Sequence, residues 1–266
     1  VETQEVEGTT VPLPPIEEDM LTEGERLLAN LKAGLVKKYE RKRPGVHVSD
    51  LCNCPRKAAF TDMNEIVVNN RELNFFTSGS AIGEAMEACA REDLENYTTE
   101  QYCGLGKISG GSIEVNGVKL PIPDDISFGN LISGHIDIYN KTKNIPTEFK
   151  TYRGKTADKL PKLHQVDQLK TYITAMDAEK GLLVYQLLMR FEGSPFEIFE
   201  IKMTKEEKQA FAKAKIEDGL RLAIAKARKQ PALARHVMND PNMNWLCVEC
   251  PFLEACKKLN AGAELQ

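Results

Sequence analysis

Long hydrophobic runs are missing from this sequence. The longest apolar stretches, Gly181–Met189 and the region around Leu220–Ala227, fall well short of the ~20 residues that span a bilayer, so no membrane partner is expected. A basic-then-apolar leader is missing too, and the expected location is cytoplasmic. Glycine and proline show no excess, which excludes collagen-like or wholly disordered chains. An even cysteine framework is absent: the seven cysteines are an odd set and a poor basis for disulfides. What remains, at 42% apolar and 28% charged over 266 residues, is a globular chain with room for a sizeable core.

The net charge of −4 hides an asymmetry. Residues 1–30 hold eight acids and one base, a net of −7, so the rest of the chain carries +3. The body is mildly basic, and the mean charge does not argue against a nucleic-acid partner. Residues 1–19 have no hydrophobic period and read as an acidic disordered arm. Leu27, Leu28, Leu31, Leu35 and Val36 recur at helical spacing up to the Pro44–Gly45 stop. Ser49 or Asp50 then caps a short helix carrying Cys54 and Arg56.

From Ser78 to Arg190 the pattern reads helix, three strands, helix, strand. The first helix runs from Ser78 to Asn96. The strands are 112–118, Leu131–Tyr139 and Asn144–Thr151, the last two joined by the polar turn Asn140–Lys143. Pro161–Asp177 is helical, GLLVYQLLMR is a buried strand, and FEIFEIKM alternates as a half-buried one. Thr204 caps a long helix to about Lys229, with Glu207 at the capping-box position. The expected divisions are an arm (1–19), an N-terminal helical segment (20–77), a core (78–203) and a C-terminal helix with a cysteine-rich end (204–266).

Two constellations carry chemistry. Glu148 and Lys150 lie two apart on a strand and project to one face, and a hairpin partner can bring Asp137 across from them. Two carboxylates and a lysine describe a hard-cation site for phosphodiester cleavage, with Mn²⁺ or Mg²⁺ on the oxygens and the lysine steadying negative charge. Glu-x-Lys alone is weak, since the chain has four, but only this one has an aspartate on the strand just upstream. Gln168 and Tyr172, four apart on the following helix, share a face.

At the other end, Cys247, Cys250 and Cys256 form Cys-x2-Cys-x5-Cys and lack a fourth local ligand. Cys54, nearly 200 residues earlier, is the candidate, with Cys52 as its neighbour. Four thiolates suit tetrahedral zinc or an iron–sulfur cluster, and spacing alone favours zinc.

Gly134-x-x-Asp137, Glu148-x-Lys150 and Gln168-x-x-x-Tyr172 resemble the RecB-type branch of the PD-(D/E)XK nucleases. One cysteine before the core and three after it resemble the iron–sulfur members of that branch. Among these are the AddAB helicase-nucleases and, closest in size, the CRISPR-associated Cas-four family. The resemblance covers roughly residues 46–257. It implies a restriction-endonuclease-like α/β fold, a mixed sheet flanked by helices, with an iron–sulfur module joining the N- and C-terminal segments. It also implies a metal-dependent nuclease acting mainly on single-stranded DNA, as exonuclease or endonuclease. Asp137 and Glu148 would bind metal, Lys150 would support hydrolysis, Gln168 and Tyr172 would orient the substrate, and Cys54, Cys247, Cys250 and Cys256 would hold a 4Fe-4S cluster.

In the Cas-four setting the protein would trim prespacer ends beside the CRISPR integrase proteins, and a homo-oligomer would be in keeping. The same architecture also serves solo nucleases of viruses, mobile elements or repair pathways. The family's first helix usually carries a metal-binding histidine where this chain has Gly83; Glu84 and Glu87 are the carboxylates at hand, and His135 is a stand-in on the strand face of Asp137. Loss of that histidine also suits a non-catalytic DNA-binding adaptor on the same fold. The basic residues from Arg153 to Lys162 are the expected phosphate contacts, and Phe75, Phe76 and Tyr152 are candidates for base stacking.

Overall fold

The computed structural model describes residues 45–63, 81–89, 95–109, 111–115, 118–121, 129–248 and 250–261. Contacts divide the chain into two units, Val1–Arg41 and Lys42–Gln266, and every described residue belongs to the second. The acidic arm, the 21–43 helix, Phe75, Phe76 and the 77/78 boundary lie outside the described residues.

In chain order the elements are β1 (Val46–His47), α1 (Val48–Cys52), α2 (Pro55–Met63), α3 (81–89), β2 (Tyr97–Ser109), β3 (Ser112–Val115), β4 (Val118–Pro121), β5 (Asn130–Asn140) and β6 (Ile145–Tyr152). They continue with α4 (Leu163–Ala175), β7 (Lys180–Leu187), β8 (Phe196–Lys202), α5 (Lys205–Ala227), α6 (Trp245–Val248) and α7 (Leu253–Asn260). The sheet order is β4-β3-β2-β5-β6-β7-β8, with β1 added to β5. All pairs are antiparallel except β1/β5 and β6/β7, and the second of these requires the α4 crossover. The result is a mixed sheet with helices packed on it.

β2 is the main departure from the sequence pattern. The thirteen-residue strand pairs with β5 along nearly its whole length, whereas segment 112–121 is a small hairpin hung on β2's far end. The strand beside β5 is therefore β2 and not the expected 112–118, which falls in the inserted β3–β4 hairpin; β5 and β6 match the other two expected strands. The N-terminal helix also differs: α1 ends at Cys52 and α2 begins at Pro55, where proline suits the first helical position. Ser49 and Asp50 lie inside α1, and the Asp50 carboxylate accepts the His47 N–H at 3.3 Å.

The later elements follow their patterns. β7 alternates strictly between buried and half-buried positions. Thr204 accepts the Glu207 N–H at 3.2 Å while Glu207 accepts the Thr204 N–H at 2.8 Å, closing the box that starts α5. Leu169, Ile173, Leu183 and Tyr185 centre one apolar cluster; Val46, Leu51, Ile132, Ile136, Ile216 and Leu222 belong to the other. Gly181 permits the close approach of α4 to β7, because a Cβ there would lie 2.8 Å from Leu169 and 2.9 Å from the Pro146 carbonyl. Among the described residues, no helix is long and apolar enough to cross a membrane.

Candidate active site and cysteine cavity

The β5–β6 turn sets the register of the site. The buried Asn140 side chain accepts the Lys143 N–H at 2.9 Å and the Thr142 hydroxyl at 3.2 Å, tying the turn to the strand end. From there Tyr139 pairs with Pro146 and Ile138 with Thr147. The next pair in register is Asp137 with Glu148, and there the ladder stops. β6 leaves β5 and runs along β7 from Thr147 to Tyr152, while β1 takes the β5 edge at Ile132 and Ser133. A slot opens in mid-sheet between these two partners of β5.

Asp137 turns into that slot, and its Oδ2 accepts the Phe149 N–H at 2.8 Å, replacing a sheet bond lost in the splay. Glu148 is 1% exposed; its Oε1 accepts a short hydrogen bond from Lys150 Nζ, and its buried Oε2 has no partner. Leaving a carboxylate oxygen dry and unpaired is costly unless a cation or donor arrives to meet it. Burial and then the Asp137 charge, opposed by Lys150, push the Glu148 carboxyl up to about 8. Burial also raises Asp137, against the pull of Lys150, the Phe149 amide and the neighbouring Glu148 carboxyl, with which it can share a proton. Lys150, which burial alone would lower, is held above its ordinary value by the two carboxylates. One lysine thus faces two carboxyl groups.

The wall of the slot is α4. Gln168 Nε2 donates to Tyr172 Oη at 3.0 Å, and Tyr172 is buried with its hydroxyl pushed well up by burial and by the Glu148 charge. Gly134 makes this fit possible: a Cβ there would lie 2.9 Å from Val48 and 3.0 Å from the Tyr172 ring. Tyr185, the register partner of Lys150, accepts the Lys162 N–H at 3.0 Å and donates to Gln165 Oε1 at 2.5 Å, pinning the start of α4 above the lysine. Sequence reasoning missed Tyr185 because it reads as an ordinary strand aromatic.

Glu84 is exposed and Glu87 half-buried on α3, and a Cβ at Gly83 would meet nothing within 4 Å. His135 is exposed and packs edge-on against Tyr102, with ring centroids 5.7 Å apart. Tyr152 is not an open platform: Gly154 lies against its ring, where a Cβ would come within 2.2 Å, and Lys162 Nζ sits 5.5 Å from its centroid. Arg153, Lys155 and Lys159 are exposed beside it.

Cys54, Cys247, Cys250 and Cys256 line one small, partly open cavity with Arg56, His236 and Phe252. Burial raises the Cys247 thiol, and the other three cysteines raise it further. Phe60 on α2 stacks on Phe252 at 5.4 Å, and Arg56 Nη1 donates to Asn260 Oδ1 at 2.7 Å and to Cys256 Sγ at 3.5 Å. Cys52 is elsewhere, buried in the core beside Lys215, Asp167 and Thr171, where burial pushes its thiol up to about 12. Cys103 is buried near Glu148 and Cys89 is exposed. Among the described residues, no three His, Cys, Asp or Glu side chains are grouped so as to hold a metal ion as they stand.

No family model matches the chain. Over 212 residues it is 24% identical to the CRISPR-associated exonuclease Cas4 of Saccharolobus solfataricus, which covers 79% of this chain and 86% of that protein. Along most of its length the chain is similar to a Cas4. The crystal structure of SSO0001 matches with a TM-score of 0.51 at 23% identity, covering 85% of this chain and 96% of that one, so the two share a fold. A phage-related exonuclease from Haemophilus somnus 129PT gives a TM-score of 0.38 at 12% identity, covering 70% of this chain and 93% of its own.

Proposed function

We propose that this chain is a divalent-metal-dependent deoxyribonuclease that degrades single-stranded DNA. The observation that carries the reading is the mid-sheet slot: a half-buried aspartate and a buried glutamate with an orphaned oxygen, set against a single lysine. The donor set fits a hard cation, which takes oxygen ligands. Asp137 and Glu148 would hold it, with Glu84 or Glu87 of α3 as the further ligand in place of the histidine that Gly83 replaces. When bound, the cation supplies Lewis-acid charge and a more acidic water.

The chain's own residues do the rest. Lys150 steadies the negative charge that grows on the phosphoryl oxygens as a water oxygen bonds to phosphorus and the ester P–O bond breaks. The Gln168–Tyr172 pair orients the phosphate against the strand face. Arg153, Lys155 and Lys159 draw the backbone towards the slot.

Cys54, Cys247, Cys250 and Cys256 are proposed to hold a 4Fe-4S cluster that clamps α2 to α6 and α7. Closing a loop of that length through metal stabilises both ends together. In the cell the protein is proposed to trim prespacer ends beside CRISPR integrase proteins. The second reading, a DNA-binding adaptor without catalysis, draws on Gly83 at the expected histidine position.

The deciding test is degradation of end-labelled single-stranded and duplex DNA by anaerobically purified protein with Mn²⁺, beside Asp137→Ala. Cleavage that disappears in the variant supports the nuclease. DNA binding without cleavage by wild type supports the adaptor.

A further inference from the structure

Trp245 is the only tryptophan in the chain and is 52% exposed, an unusual place for the largest apolar side chain. It lies 5.6 Å from the His164 ring, the planes tilted by 51°. His164, Gln168 and Tyr172 are spaced i, i+4 and i+8 on α4, so they form one stripe about 12 Å long at 1.5 Å per residue. That stripe starts at the buried tyrosine beside the carboxylates and ends at the surface, where Trp245 continues it.

We propose that Trp245 and His164 form a base-stacking ledge for single-stranded DNA at the mouth of the Asp137–Glu148 slot. The inference rests on the nuclease reading and deepens it by naming what selects a single strand. An unpaired base offers a free π face, whereas a duplex hides its bases in the stack, and each base–aromatic stack gains affinity without regard to sequence. The surroundings suit a nucleic acid strand. Lys162 lies two residues before His164, and exposed Lys155 and Lys159 precede it to meet the backbone.

His164 itself is suited to stacking rather than to phosphate binding. Burial, with the Lys150 and Lys162 charges, lowers its pKa to about 4, so the ring is neutral near pH 7. The ledge also hangs on the cysteine segment. Trp245 shares a four-residue helix with Cys247, and Leu246 and Cys247 line the cysteine cavity. Strand selection is thereby tied to the segment that the cluster would hold.

A single tryptophan makes the test direct. Full-length Asp137→Ala protein, which cannot cleave, is titrated with oligothymidylate and separately with duplex DNA, following tryptophan emission and the anisotropy of labelled DNA. The expected result is saturable quenching by the single strand. Adding Trp245→Ala should weaken single-strand binding about tenfold, the loss expected of one stacked base, with duplex binding within about twofold. Trp245→Tyr should restore most of the affinity.

Single-strand binding without quenching, or equal losses on both DNA forms, would overturn the ledge while leaving the nuclease reading intact. Failure of tyrosine to rescue would overturn it too. Absence of DNA binding by any probe, together with absence of cleavage by wild type, would overturn both readings.

Discussion

Asp137→Asn separates what the slot costs the fold from what it does for catalysis. The amide keeps an oxygen to accept the Phe149 N–H and removes the charge that faces Glu148. A glutamate held at about 8 instead of 4.5 corresponds to roughly 5 kcal/mol at most between its protonation states. Burial is the larger cause, so the Asp137 charge accounts for the smaller part, on the order of 1–2 kcal/mol.

The sign follows from proton linkage. Between pH 4.5 and 8 the folded Glu148 keeps a proton that the unfolded chain has released, so metal-free wild type loses stability as pH rises through that window. Below pH 4.5 both states are protonated and the effect vanishes. Asp137→Asn should flatten the decline, leaving the variant more stable than wild type by about 2–8 °C in Tm near pH 8.5. The assay is thermal unfolding of both proteins in chelator from pH 6.5 to 9. Taking their difference cancels the titration of His164 and His236, which both proteins share. Mn²⁺ should stabilise wild type most at the alkaline end and the variant hardly at all. A variant less stable than wild type at pH 8.5, or a difference that does not change with pH, would refute the account of the slot as a site where two carboxyl groups repel each other more than Lys150 offsets.

Other expectations follow from single contacts. Lys150→Ala removes the cation that offsets two carboxylates, so cleavage should fall at least about a hundredfold in a labelled-DNA assay. Tyr172→Phe keeps the buried ring and loses the Gln168 hydrogen bond; urea unfolding should show a loss of about 0.5–1.5 kcal/mol. Cys256→Ser should lower bound iron and sulfide in elemental analysis and weaken the α2–α7 seam, seen as faster proteolysis at both ends; zinc in place of iron would refute the cluster assignment. Gly83→Ala, whose Cβ meets nothing, should raise stability by about 0.5–1 kcal/mol through helix propensity, read by thermal unfolding.

Much of this arrangement was legible in the chain because short-range patterns report it. The two-residue period put Glu148 and Lys150 on one face, the four-residue period joined Gln168 to Tyr172, and Thr204 with Glu207 marked a helix start. β2 was not legible. Its sequence, YTTEQYCGLGKIS, is interrupted by Gly104 and Gly106 and lacks alternation; it is a strand because β5 offers it an edge, a tertiary cause that local propensity does not carry. Trp245 and Tyr185 escaped notice for a similar reason. Each gains its position from residues far away in sequence, His164 for one, Lys162 and Gln165 for the other. The splay between β5 and β6 was equally invisible, since it depends on β1 and β7 competing for strand edges.

The seam between α2 and α7 has a consequence for how the protein is made. Arg56 meets Asn260, its partner 204 residues later, and Phe60 waits for Phe252. At translation rates of about 5–20 residues per second, roughly 10–40 s separate the synthesis of the two sides. Throughout that interval Cys54 leaves the ribosome without its three companions. The nascent chain is then open to oxidation at a thiol that later faces the shared cavity. Oxidising stress should therefore lower the yield of newly made protein far more than it harms protein already folded.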